Sequence, residues 1–278
     1  MCLKLEEEFC SVAKTSKHTN PRLEGQGMSE SVDAIKDFID RCSKDEQRAL
    51  FEYIRKKIPR HPLEQQWDID GETILTAIYR SPDLTQRGVR GILAEAVFER
   101  DIIPTVEKLG WRALPLPAGE PPFDFLLEKR GKRASIQVKL QRTQQGKPKR
   151  FSPRRYVREL YVVEVQKTRS GKKRQEGAAD ASVKGDESTR PYRLGDFDIL
   201  AVNMQPATRK WNDFRYTLGS WLTLRKSNPH LIEIFQPVSL QPNNLWTDKL
   251  DVCLEWFRLG NRRNMLRWLR GQDALSKP

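Results

Sequence analysis

Apolar residues along this chain change their spacing from helical to alternating and back, and each change marks an element. Val32, Ile35, Phe38, Ile39 and Cys42 fall on one helical stripe. A second helix opens at Ser43-Lys44-Asp45-Glu46, which has capping-box spacing, and carries Leu50, Phe51, Ile54 and Ile58 on its apolar side. Pro59 and Pro62 end this helical pair, which is expected to pack on the main domain, with a small DNA-contacting or dimer-forming module as the alternative. A third helical pattern starts near Thr85 and takes in Val89, Ile92, Leu93, Ala96, Val97 and Ile103, with a break or kink at Pro104 and a stop at Gly110.

Strand patterns follow. Trp111 to Leu114 is a first strand, and the Pro- and Gly-bearing run 115–122 is a loop. Next come Pro122-Phe123-Asp124-Phe125-Leu126-Leu127 and Ser135-Ile136-Gln137-Val138-Lys139-Leu140, joined by the turn Lys129-Arg130-Gly131-Lys132. This reads as a hairpin. Side chains alternate along a strand, so Gln137 and Lys139 share a face, and a loop of two or four residues sets Asp124 opposite Gln137. Further on, Tyr161 to Gln166 reads as a strand rich in β-formers, and Phe197 to Val202 as a buried central strand. A short helix at Tyr156 to Leu160, a helix over Trp211 to Leu224, a late strand at Leu231 to Phe235 and a mostly helical stretch from Trp246 to Trp268, interrupted at Gly260, complete the pattern.

The pattern divides the 278 residues into a loose tail over 1–30, a helical subdomain over 31–70, a core over 71–245 and a basic helical segment over 246–278. Charge changes the picture more than composition does. A formal net charge of +13 exceeds what solubility requires and favours a polyanionic partner. The four cysteines and three histidines are scattered without metal-ligand or disulfide spacing, which argues against a zinc site or a histidine nuclease. No apolar run reaches membrane-span length, and Met1 to Glu8 turns acidic at once, so a cytoplasmic protein is expected.

The hairpin carries the chemistry. A carboxylate beside a lysine suits metal-assisted phosphodiester cleavage, the acid holding the cation and the amine handling the attacking water or the phosphate charge. An outward Asp and Lys are also common on any antiparallel sheet. Here, the flanking residues are apolar, and an upstream helix offers Glu95 between small and apolar neighbours. The order helix, strand, hairpin with Asp then Gln-x-Lys, helix, strand resembles the PD-(D/E)XK nuclease superfamily over about residues 85–205. The resemblance implies an α/β fold, a restriction-endonuclease-like mixed five-stranded sheet flanked by helices, with an N-terminal helical hairpin and a C-terminal helix. It assigns Glu95 to the helix glutamate, Asp124 to the second motif, and Gln137 with Lys139 to the third. Phe123 stands where the superfamily's name puts Pro, and Gln137 replaces the usual acid. Implied cation ligands are Asp124, Glu95, the Val138 carbonyl and Gln137, with Glu99 and Glu164 as alternatives for the second acid. The implied cofactor is Mg²⁺, with Mn²⁺ as a substitute.

Within the superfamily, the chain looks most like a bacterial type II restriction endonuclease. That implies a homodimer cutting double-stranded DNA, with a cognate DNA methyltransferase as genetic partner. Arg142, Lys147, Lys149, Arg150, Arg154, Arg155, Lys172, Lys173, Arg174, Arg190, Arg193, Arg209 and Lys210 are the candidate DNA contacts. Two alternatives stay open: a structure-specific repair or recombination nuclease, and a non-catalytic DNA-binding protein on a decayed nuclease core.

Overall fold

The computed structural model describes residues 26–151, 160–167 and 191–271. The short helix expected at 156–160 lies outside them except for Leu160, which opens a strand; the tail expected over 1–30 lies outside them up to residue 25, and residues 26–30 belong to a helix. The chain divides into two units, Met1–Leu75 and Thr76–Pro278.

The first unit is helical. It holds α1 (Gln26–Arg41), α2 (Lys44–Lys57), α3 (Pro62–Trp67) and the start of α4 (Gly71–Arg80). Ser43 caps α2 as its sequence requires: its hydroxyl accepts from the Glu46 N–H, and Glu46 returns a bond to the Ser43 N–H at 2.8 Å. Gln47 closes the α1–α2 turn by donating to the Ile39 carbonyl at 2.9 Å. Glu64 ties α3 to α2 through Arg55 at 2.9 Å and accepts from the Gly71 N–H. The apolar stripe of this pair is exposed at Val32, Ile35, Phe38, Phe51, Ile54 and Ile58, and α2 buries none of its residues.

The second unit is a mixed α/β layer. Its main sheet has five strands in the order β1 (Arg112–Leu114), β2 (Phe125–Lys129), β3 (Lys132–Leu140), β8 (Ile199–Asn203) and β9 (Phe214–Leu218). All neighbours are antiparallel except β3 and β8, which run parallel as a crossover connection demands. Between them in sequence lie the small hairpin β4 (Thr143–Gln144) and β5 (Lys147–Pro148), then β6 (Arg150–Phe151) and β7 (Leu160–Glu164). β6 and β7 join β10 (Phe235–Val238) in a separate three-stranded sheet. Ile199 to Asn203 are all buried, which accounts for the unbroken apolar run that marked this strand.

Helices cover the sheet. α5 (Asp83–Val97) passes into a wider π turn, Phe98–Ile102, before α6 (Ile103–Glu107), so the expected break at Pro104 is absorbed by a change of helical pitch just ahead of it. At the other end come α7 (Gln205–Thr208), α8 (Leu250–Leu259) and α9 (Met265–Leu269). Gly260, at φ 67°, caps α8 in the left-handed conformation and explains the interruption seen there. Leu250, Cys253, Leu254, Met265, Trp268 and Leu269 lie in the same core as the sheet, so the C-terminal segment is part of the second unit.

The helix expected over Trp211–Leu224 is instead the edge strand β9 followed by a 3₁₀ turn, Gly219–Trp221. Phe214-Arg215-Tyr216-Thr217-Leu218 are β-forming residues, all buried and paired to β8 from Phe214↔Asn203 to Leu218↔Ile199. Arg215 is tolerated there because its guanidinium bonds Asp213 and the Leu240 carbonyl. The late strand begins at Phe235, with Leu231 and Ile232 held only by isolated bridges. Trp246 and Thr247 are extended, not helical, because Thr247 pairs with Tyr216.

Candidate active site

The β2–β3 hairpin closes through Arg130 and Gly131, both at positive φ (50° and 76°), with Lys129 paired to Lys132. Two consecutive left-handed residues make the turn whose twist matches the strands, and Gly131 accepts that geometry without strain. The ladder runs up to Phe125↔Ile136, and the Asp124 N–H continues it by donating to the Ile136 carbonyl at 2.9 Å. Asp124 therefore faces Gln137. Its Oδ2 accepts from Gln137 Nε2 at 2.5 Å and from the Val138 N–H at 2.7 Å.

Lys139 lies two residues along β3 on the same face as Gln137. Burial pushes its ammonium pKa down, and the nearby charges of Asp124 and Glu95 pull partly the other way. Glu95 reaches this place from α5. Phe98, three residues later and fully buried, packs on Phe125 at 5.0 Å and on Phe214 at 5.4 Å, which pins that face of the helix to the sheet. Burial, then the charge of Asp124, raises the Glu95 carboxyl to about 7, against the opposing effect of Lys139. Asp124 is likewise raised, chiefly by burial, with Lys139, the Val138 N–H and Gln137 resisting. The three charged side chains thus act on one another at one end of the hairpin.

Glu95 turns inward for a reason other than the one its neighbours suggested. Ile92 and Leu93 are exposed, and the packed face is Ala94 and Phe98. Glu99 is exposed, one turn further on. Glu164 is bonded to Arg142 and Gln166. Of the candidate acids, Glu95 is the one coupled to Asp124 and Lys139.

Two clefts meet at Glu95. One, of about 880 Å³, is lined by Lys139, Val138, Arg87, Arg90, Arg142, Lys167 and the paired Glu164, among others. The second, of about 820 Å³, carries Asp124, Glu99, Glu107 and Glu120. Among the expected DNA contacts, Arg142 lines the first cleft, where it also sits over the Phe235 ring at 5.4 Å. Lys149 lies over the same ring at 5.0 Å, outside the cleft lining. Lys147, Arg150, Arg193, Arg209 and Lys210 are exposed and also outside that lining. Arg154, Arg155, Lys172, Lys173, Arg174 and Arg190 fall outside the described residues. Arg87 and Arg90 are cleft cations that spacing did not single out, and Lys167 joins them there. Asp198 is tied to β3: its carboxylate accepts from the N–H and hydroxyl of Ser135, at 2.8 and 2.7 Å.

The residue missed altogether is Tyr192. It is buried, its O–H donates to Gln137 Oε1 at 3.0 Å, and Lys139 Nζ lies 5.6 Å from its ring centre. It stands 55 residues from Gln137 in sequence, so no periodicity connects them.

The donor set suits a hard divalent cation. Glu95 and Asp124 are two partly buried carboxylates, each held above its ordinary pKa, and a cation relieves that penalty. Oxygen donors without thiol or imidazole favour Mg²⁺ or Mn²⁺ over zinc. Among the described residues no group of three or more His, Cys, Asp or Glu side chains is assembled, so the set is minimal. Gln137 turns its amide nitrogen towards Asp124, and its oxygen accepts from the Tyr192 hydroxyl.

No known family profile matches the chain, and no curated protein matches it. Among solved structures, a bacterial homing endonuclease, I-Ssp6803I, aligns over 62% of this chain and 94% of its own, at 15% identity and a TM-score of 0.32. That likeness is too distant to add to what the residues themselves say. Among the described residues no helix is long and apolar enough to cross a membrane.

Proposed function

We propose that this chain is a divalent-cation-dependent nuclease that hydrolyses phosphodiester bonds in double-stranded DNA, acting as a type II restriction endonuclease. The observation that carries the reading is the electrostatic coupling of Glu95, Asp124 and Lys139 beside a cleft lined with cations. In this reading, the protein works as a homodimer in the bacterial cytoplasm beside a cognate DNA methyltransferase.

Glu95 and Asp124, with the Val138 carbonyl, are the groups to hold Mg²⁺, which when bound supplies Lewis-acid polarisation and a more acidic water. The chain's own residues do the rest. Asp124 is oriented by the Val138 N–H and Gln137 before any substrate arrives. Lys139, its pKa lowered by burial, takes the proton of the attacking water or offsets charge on the phosphate. Arg87, Arg90, Arg142 and Lys167 hold the phosphates of the strand in the cleft.

One observation favours a second reading. The Gln137 amide N–H faces both the Asp124 carboxylate and the Val138 carbonyl, filling with a neutral donor the place a cation takes. This arrangement is compatible with a non-catalytic DNA-binding protein on a nuclease core. Incubation with phage DNA and Mg²⁺ separates the two. Discrete, reproducible fragments that disappear in Asp124→Ala support cleavage at a defined sequence; tight cation-independent binding with intact DNA supports the second reading.

A further inference from the structure

We propose that Tyr192 is a positioning residue that fixes Gln137 as a hydrogen-bond donor to Asp124, making Gln137 an orienter of that carboxylate rather than a cation ligand. The consequence for the cation rests on the function proposed above, whereas the hydrogen-bond chain itself does not.

The amide has one arrangement that satisfies its surroundings. Nε2 lies 2.5 Å from Asp124 Oδ2 and 3.2 Å from the Val138 carbonyl oxygen, and both of these are acceptors. A reversed amide sets its own oxygen against two others at those distances, which is repulsive. In the arrangement present, both amide hydrogens have acceptors, and Oε1 has the Tyr192 O–H at 3.0 Å. Gln137 is 2% exposed, so an unpaired oxygen there has no water to turn to.

Tyr192 is itself rigidly held. Its ring meets Phe197 edge-on at 5.3 Å, and its carbonyl accepts from the Ile232 N–H at 2.9 Å. The ring also lies 5.6 Å from Lys139 Nζ, so one aromatic side chain touches both polar members of the third motif. The chain Tyr192 to Gln137 to Asp124 engages Oδ2 of Asp124, so Oδ1 would be the oxygen to hold a cation together with Glu95. A Gln at this position thereby keeps the acid oriented without adding charge.

The test uses Tyr192→Phe, which removes only the hydroxyl and keeps the ring packing, alone and combined with Gln137→Leu. In metal-free protein, the side-chain amide NMR signal of Gln137, identified by its loss in Gln137→Leu, should lie well away from the free-amide position. In Tyr192→Phe it should move back towards that position. A signal that does not move overturns the proposal, and this readout needs neither cation nor DNA. Mn²⁺ affinity then tests the consequence: Tyr192→Phe should change Kd by about 3- to 10-fold with Gln137 present and leave it nearly unchanged in the Gln137→Leu background. Equal effects in both backgrounds overturn the positioning role. Absence of Mn²⁺ binding by the wild-type protein contradicts the proposed function instead, and the amide signal still decides the hydrogen-bond chain.

Discussion

The clefts on either side of Glu95 carry opposite charge. On one side Arg87, Arg90, Lys139, Arg142 and Lys167 face Glu95 and a Glu164 already bonded to Arg142. On the other, Asp124, Glu95, Glu99, Glu107 and Glu120 line the wall with no lysine or arginine among them. A net charge of +13 favours a polyanion over much of the surface, so overall charge alone does not say where the proposed DNA strand would lie. Under the proposed function, the contrast between clefts does. A phosphate is drawn to the first and repelled by the second, whereas a divalent cation is drawn to the second. Glu95 stands where the two fields meet, and the Asp124–Lys139 face stands beside it.

The comparison can be broken most severely at the shared wall. Asp124→Ala should reduce DNA cleavage by at least on the order of 1,000-fold, the scale of losing an electrostatic partner of the transition state. Gel-shift affinity without divalent cation should stay close to wild type. On the basic side, Arg87→Glu with Lys167→Glu should weaken duplex binding by on the order of 10- to 100-fold and reduce the salt dependence of log affinity by about one to two. Fluorescence anisotropy across a salt series reads both quantities. Unchanged binding there would mean that the strand lies elsewhere.

The pH dependence sharpens the account at Glu95 itself. Its carboxyl is raised from 4.5 in the unfolded chain to about 7 in the folded one. Its contribution to stability is therefore fully present below the lower value and is lost as pH rises through the upper one. Thermal unfolding of metal-free protein should show a lower Tm at about pH 8 than at about pH 5.5, and Glu95→Gln should shrink that difference by a few degrees. The smallest effect is expected deep on the acidic side. Glu120→Gln should lower Mn²⁺ affinity by no more than about 2- to 3-fold, because a charge at the cleft wall acts through screened solvent.

The legible part of this molecule was its hairpin. Alternation fixed the faces of β2 and β3, Gly131 fixed the turn, and together they set Asp124 against Gln137 with Lys139 on the same side. The unbroken run at β8 and the cap at Ser43 were legible for similarly local reasons. What failed was local pattern against tertiary burial. The stretch from Phe214 to Leu218 does alternate apolar and polar residues, but over only five positions, inside the longer window from Trp211 to Leu224 that reads as a helix. On α5, the large side chains Ile92 and Leu93 point to solvent while Ala94 and Phe98 pack, so counting bulky residues picked the wrong stripe. Tyr192 and the cleft cations Arg87, Arg90 and Lys167 join the site only through the fold, from segments with no shared period.

Lys139 provides the most direct measurement. Purified wild-type protein and Lys139→Ala are compared for Mg²⁺-dependent cutting of duplex DNA under single-turnover conditions, with binding measured in parallel. The account predicts cutting by the wild type, and its loss in the variant while DNA is still bound. Equal cutting by the two proteins would contradict it.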